Sequence, residues 1–278
     1  NSDGDMNDIA VLAYDISSGT STFLSEGEQP SSSNGEVAYV INGEVQIRNI
    51  STRRQFAVPI LTGTEPDISG NFVAFTALEE DVGRGTFRNV VRLHDISSGT
   101  AGRIRNVAEG SKPSVSGNYV AFETSEADAS LDLNGDGDFT DVLVRLFEIS
   151  SGTITLAAEG SNPSISGDRI ALEVRELDTR VDHNSDGDLV DTFVFVHDRP
   201  TGVSTFVAQA SSPQLSGRVV AYQVSEAEVG RDLNSDSDRT DIILGYLDVL
   251  TGAAVNTGRV AERVAGFAIP PSIVNPRI

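Results

Sequence analysis

Three acidic stretches hold the densest chemistry in this chain: DLNGDGDFTD at 132–141, DHNSDGDLVD at 182–191 and DLNSDSDRTD at 232–241. Each offers carboxylate or amide oxygens at near-alternate positions. The first has Asp132, Asn134, Asp136, Asp138 and Asp141; the second Asp182, Asn184, Asp186, Asp188 and Asp191; the third Asp232, Asn234, Asp236, Asp238 and Asp241. Like charges packed this closely repel one another unless a multivalent cation sits among them. Alternate residues of a tight loop can gather around one point, and Gly137 and Gly187 permit the sharp turn that this requires. The donors are hard oxygens; the chain has no Cys, and His183 falls between ligating positions of the second loop. Such a set suits Ca²⁺, which accepts many oxygens at irregular geometry, with Mg²⁺ and its tighter octahedron the second choice. A solvated Asp- and Gly-rich turn is the alternative, and the recurrence of one spacing three times favours the ion. A partial copy, NSDGDMND, opens the chain, so Asn1, Asp3, Asp5 and Asp8 are expected to form a fourth site.

A second acidic column accompanies the loops. Glu126, Glu176 and Glu226 each lie six residues before the first loop aspartate, at the expected end of the preceding strand. They either close the coordination shell or cap the strand. Glu79 occupies the same column beside EEDVGRGTFRN, which lacks the loop motif, and this leaves both readings open.

The elements that carry these loops repeat. KPSVSGNYVAFETSEAD at 112–128 is echoed by NPSISGDRIALEVRELD at 162–178 and SPQLSGRVVAYQVSEAE at 212–228, with Gly117, Gly167 and Gly217 spaced 50 residues apart. Shorter copies are EPDISGNFVAFTALEED at 65–81 and QPSSSNGEVAYVINGE at 29–44. One copy reads as four strands: PSIS, RIALEV, DTFVFVHD and VSTFVAQ. TITLAA and VSTFVA alternate as half-buried strands do, RIALEV and TFVFVH are more continuously apolar, and no helical period is sustained. Repeated four-stranded units of this length predict an all-β, six-bladed β-propeller with four antiparallel strands per blade. The blades fall near 29–64, 65–111, 112–161, 162–211 and 212–257, and a closing blade combines 258–278 with 1–28. In such a blade the loops after the second and fourth strands share one face, which puts the acidic loops on the same rim as AEGSKP, AEGSNP and AQASSP.

The strings P-S-I-S-G-x-x-V-A-F and L-x-D-I-S-S-G-T resemble the repeats of TolB-like six-bladed propellers. The usual Ser-Pro-Asp-Gly of that family is replaced by Ser-Gly-Asn, Ser-Gly-Asp or Ser-Gly-Arg. The acidic loops resemble the first half of an EF-hand loop, with Ser237 standing where the others have Gly, and integrin-type calcium loops inserted between blade strands. The resemblance implies a single propeller domain with Ca²⁺ in three loops and in a fourth at the N-terminus.

Composition narrows the partners. With 20 basic against 41 acidic residues the formal net charge is −21, which excludes nucleic acid and anionic membrane surfaces as natural partners. No apolar run approaches the length of a membrane-spanning helix. Three histidines are too few for a histidine metal centre; His94 and His197 occupy equivalent positions and read as strand-end surface groups. Nucleophile elbows, phosphate loops and zinc signatures do not occur. The chain therefore reads as a monomeric domain of a larger, processed extracellular or cell-surface protein, a non-enzymatic scaffold or recognition module with a protein or glycan ligand at the loop face. The alternative is a hydrolase or lyase acting on a carbohydrate or other polymer at the channel mouth.

Overall fold

The computed structural model describes residues 9–15, 17–55, 61–83, 85–97 and 103–261. Two compact units divide the chain, 1–117 and 118–278. In the first, β1 (Ala10–Asp15) and β2 (Thr20–Glu26) form a two-stranded sheet. A four-stranded sheet follows from β3 (Glu28–Ser33), β4 (Glu36–Ile41), β5 (Glu44–Asn49) and β6 (Leu61–Thr62). The next contains β7 (Thr64–Ser69), β8 (Phe72–Asp81), β9 (Thr86–Asp95) and β10 (Ile104–Glu109). The third four-stranded sheet has β11 (Ser111–Ser116) as its first strand, then β12 (Tyr119–Ser125), β13 (Val142–Glu148) and β14 (Ile154–Glu159). Two more complete the second unit. One comprises β15 (Ser161–Ser166), β16 (Arg169–Arg175), β17 (Thr192–Asp198) and β18 (Val203–Gln209). The other comprises β19 (Ser211–Ser216), β20 (Val219–Ser225), β21 (Ile242–Asp248) and β22 (Ala253–Val260).

The strands of each sheet pair antiparallel in chain order, as a meander of hairpins demands. Second strands are buried on both faces because neighbouring sheets stack against them: Val120, Ala121 and Phe122 in β12, and Ile170, Ala171 and Leu172 in β16, are consecutive buried residues. Fourth strands lie at the sheet edge and expose consecutive residues in their first half, Thr155 and Leu156 in β14 and 203–206 in β18. The core accordingly forms as layers between sheets. Ala121, Val144 and Leu146 pack with Ile165, Ile170 and Leu172, and Ala171, Val194 and Val196 with Leu215, Val220 and Tyr222. Gly117, Gly167 and Gly217 turn the first hairpins at φ 56–59°, a region open to glycine at no steric cost.

Four expectations are corrected. The repeat predicts six four-stranded blades, whereas the described residues form five four-stranded sheets and one two-stranded sheet. Residues 258–260, assigned by the repeat to a closing blade, are instead the end of β22, where Val260 pairs with Ile243. The rest of that closing segment, 262–278, and residues 1–8 lie outside the described residues. The second correction is EEDVGRGTFRN, which is a continuation of the hairpin rather than a loop: β8 and β9 stay paired out to Asp81 and Thr86. Third, the acidic loops begin with single helical turns, α1 (Glu126–Ala129), α2 (Glu176–Thr179) and α3 (Glu226–Val229), too short to leave a periodic signature. Fourth, His94 and His197 stand next to their strand ends as expected, but they are not surface groups: His94 is fully buried and His197 nearly so.

Candidate metal centres

Each acidic loop is an excursion from the hairpin between a second and a third strand, closed at its base by one backbone bond. Glu126 N–H donates to Asp141 O at 2.9 Å, Glu176 N–H to Asp191 O at 3.1 Å and Glu226 N–H to Asp241 O at 2.9 Å. These bonds continue the β12–β13, β16–β17 and β20–β21 ladders by one rung. The side chains on that rung are two acids. Glu126, Glu176 and Glu226 are each fully buried, and Asp141 is 3% exposed.

A third carboxylate joins each pair. Glu126, Asp138 and Asp141 offer oxygens within 4.8 Å of one another, as do Glu176, Asp188 and Asp191, and Glu226, Asp238 and Asp241. Such triads could hold a metal ion. They contain two of the five positions named from the sequence in each loop, Asp138 and Asp141 and their copies. They also contain the Glu column that the sequence left undecided.

The other named residues shape the loop. Asp132 accepts from Gly135 N–H at 2.6 Å and Gly137 N–H at 3.1 Å. Asn134 Oδ1 accepts from Asp136 N–H at 3.0 Å, Asp136 from Asp138 N–H at 3.1 Å, and Asp138 from Thr140 N–H at 2.9 Å. The second loop repeats this chain through Asp182, Asn184, Asp186 and Asp188, and the third through Asp232, Asn234, Asp236 and Asp238. Asparagine links the two halves: Asn134, Asn184 and Asn234 donate from Nδ2 to Asp141, Asp191 and Asp241 at 2.7–2.9 Å. Rotation of that amide exchanges a donor for an acceptor and would turn its oxygen toward a cation. Asn1, Asp3, Asp5 and Asp8 lie outside the described residues.

The buried glutamates are held by loop amides. Glu126 Oε1 accepts from Leu133 and Asn134 N–H, and Glu176 Oε1 from His183 N–H at 2.6 Å. Glu126 Oε2 is buried with no hydrogen-bond partner among the described residues, whereas Glu176 and Glu226 Oε2 accept from Asp191 and Asp241 N–H; a buried carboxylate oxygen left unpaired is costly. Electrostatics follow the crowding. Burial, with Asp136, Asp138 and Glu126 adding repulsion against the pull of the Asn134 amide, raises the Asp141 carboxyl above its ordinary range; burial does the same to Asp191. Thr140 bonds hold Asp138 below it, and Arg180 Nη2 donates to Asp138 at 2.6 Å. At the end of β14, Glu159 is pushed up to about 7 by burial and by the field of Asp141, Asp178, Asp136 and Asp138. Sequence reasoning passed over Glu159, although AEGSNP repeats the Glu109 of AEGSKP, and over Arg180, which no repeat marks. Gln209 takes the Glu159 position in the next sheet and bonds Asp191 at 2.7 Å.

One sheet supplies an internal comparison. Glu79 and Arg88 are register partners in β8 and β9, on the rung that Glu126 and Asp141 occupy in the loop-bearing sheet. Arg88 lies 3.9 Å from Glu79 and 3.7 Å from Glu109, which ends β10 as Glu159 ends β14, and Arg92 bonds Glu79 at 2.6 Å. Where the loop is missing, arginine neutralises the rung; where the loop is present, aspartate replaces it.

Stacked four-stranded meanders of this kind define the β-propeller fold, here with five four-stranded blades among the described residues. The structure is similar to TolB from Acinetobacter baumannii, with a TM-score of 0.58 at 15% identity over 89% of this chain and 59% of that one. It is also similar to an oligogalacturonate lyase from Vibrio parahaemolyticus (TM-score 0.53, 10% identity, 88% of this chain and 70% of that one). A third similar structure is dipeptidyl peptidase 4 from Porphyromonas gingivalis (TM-score 0.51, 13% identity, 89% of this chain and 41% of that one). The chain thus spans about three fifths of the TolB chain that it matches. No protein-family model matches the chain, and no curated protein matches it.

Proposed function

We propose that the three loops bind Ca²⁺ and that the protein is a calcium-stabilised propeller serving as a scaffold or recognition module. The observation that carries this reading is the exchanged rung. The partly buried Glu79 stands opposite Arg88 in the sheet without a loop, whereas the fully buried Glu126, Glu176 and Glu226 stand opposite Asp141, Asp191 and Asp241 in the sheets with one. Like charges directly opposite in a ladder are destabilising, so the loop-bearing sheets call for a cation from solution. The donors are carboxylate and amide oxygens, with Glu126 Oε2 lacking any other partner. That set suits a hard divalent ion, and the long, irregular loop suits Ca²⁺ over Mg²⁺.

Weak calcium sites stay filled only where calcium is millimolar, which favours an extracellular or cell-surface setting and a protein or glycan ligand on the loop face. Propellers host enzymes as well as binding modules, so the fold does not decide between them. Calorimetric titration of chelator-treated protein tests the ion: three calcium equivalents, taken up more tightly than magnesium, are expected. Absence of saturable calcium uptake refutes the reading. A glycan array with and without chelator then tests the ligand class.

A further inference from the structure

Departures from the repeat converge on one cavity in the last sheet. In β17 and β18 and the adjoining loop, His183, Phe193, Phe195 and Phe206 form a ring cluster with centroids 5.3–5.8 Å apart. The register places Leu233, Ile243, Gly245 and Asn256 at the same four positions in the next sheet. No aromatic ring remains among them, and all four line a cavity of about 300 Å³. Tyr222 forms another wall. It stands where β12 and β16 have Phe122 and Leu172, its ring lies 2.5 Å from where a Cβ on Gly245 would be, and it is 6% exposed. Its hydroxyl bonds no described residue, which leaves it available to a ligand in the cavity. Arg231 also lines the cavity, at the position of Leu131 and Val181 in the other loops, and forms no ion pair with a described acid.

We infer that this cavity binds a small aromatic carboxylate. Its volume is at the lower end of ligand sites and fits one substituted ring. Apolar walls take the ring in place of the side chains that fill the preceding sheet, the Tyr222 hydroxyl offers a polar contact, and the Arg231 guanidinium matches a carboxylate. Arg231 is exposed beside the cavity and pairs with no described acid, so its guanidinium can meet an anion from outside. Val229, Arg231 and Leu233 of the cavity belong to α3 and the third acidic loop, so binding is read both with and without calcium.

Phenylacetate and its uncharged counterpart benzyl alcohol are the probes, titrated by calorimetry or ligand-observed NMR in calcium and again in chelator. Saturable one-to-one binding of phenylacetate is expected. Arg231→Gln should weaken phenylacetate about tenfold and leave benzyl alcohol unchanged, the loss of one charge-assisted contact. Asn256→Phe, which restores the ring of Phe206, should abolish binding of both while a cooperative melt persists. If that variant fails to fold, Arg231→Gln decides alone. Non-saturable phenylacetate binding, equal affinity for the two probes, or affinity unmoved by Arg231→Gln overturns the inference.

Discussion

Replacing Glu126 by Gln separates a cation ligand from a strand cap, because the two roles give opposite signs in the absence of metal. Gln keeps the Oε1 acceptor for Leu133 and Asn134 N–H and removes the charge. In metal-free protein the Glu126 and Asp141 carboxylates lie within 4.8 Å of each other, and both residues are buried. At an effective dielectric constant of about 20 that repulsion is about 3.5 kcal/mol for a fully ionised pair. The upward shift of Asp141 relieves part of it, which leaves an expected gain of about 1–2 kcal/mol for the variant in EDTA. In a chain of this size that corresponds to a rise in melting temperature of about 2–8 °C. With calcium present the sign reverses. A hundredfold loss of affinity at one site would remove about 2.7 kcal/mol of ligand-linked stability. Thermal melts of both proteins in EDTA and in millimolar calcium therefore give curves that cross. An equal loss of stability in both buffers would show that Glu126 only caps the loop and would refute the metal reading.

Glu159→Gln should flatten the pH dependence of the metal-free protein. A carboxyl raised to about 7 when folded costs stability as pH climbs from its unfolded value through 7. In EDTA the variant should thus exceed the parent above pH 7 by about 1–2 kcal/mol after allowance for solvent screening, and match it near pH 4. Ser237 stands at φ 83° where Gly137 and Gly187 stand at 99° and 98°, so Ser237→Gly should raise stability by about 0.5–1 kcal/mol in denaturant titrations. Burial holds the His94 imidazole below its ordinary value of 6.5, with Asp95 opposing. Stability from that neutral ring is present above pH 6.5 and lost as pH falls. His94→Phe, the residue found as Phe147 at the same position, should flatten the acid limb of a stability–pH curve, and an unchanged limb would show that the ring carries no such cost.

Strand order, hairpin turns and the place of the acidic loops were legible because each leaves a local signal: period-2 alternation, glycine at positive φ, acids at alternate positions. The described residues hold five four-stranded sheets rather than six: 1–28 supply the two strands expected of them, β1 and β2, while 258–260 continue β22 and 262–278 lie outside those residues. The burial of His94 and His197 was not legible either. Their neighbours along the strand do not reveal burial, which comes from a sheet stacked on top. Among the named ligands, Asp138 and Asp141 and their copies meet at the triads. Asp132, Asn134 and Asp136 also accept bonds from the backbone of the loop, a detail that alternation alone cannot show.

The meaning of the Glu column was hidden for a different reason. Glu79 precedes Arg88 by nine residues, whereas Glu126 precedes Asp141 by fifteen, so the partners align only after the loop is removed. Hydrogen-bond register supplies what spacing lacks: both pairs are one rung of one ladder. In each of the four sheets that carry the rung, its glutamate calls for a positive neighbour, most of all where it is fully buried. The tethered arginine meets the need permanently, while an aspartate on a long loop makes the same rung dependent on an ion in solution. Insertion of the loop and loss of the arginine are therefore one change. Stability of the loop-bearing sheets should track calcium, and that of the Glu79–Arg88 sheet should not.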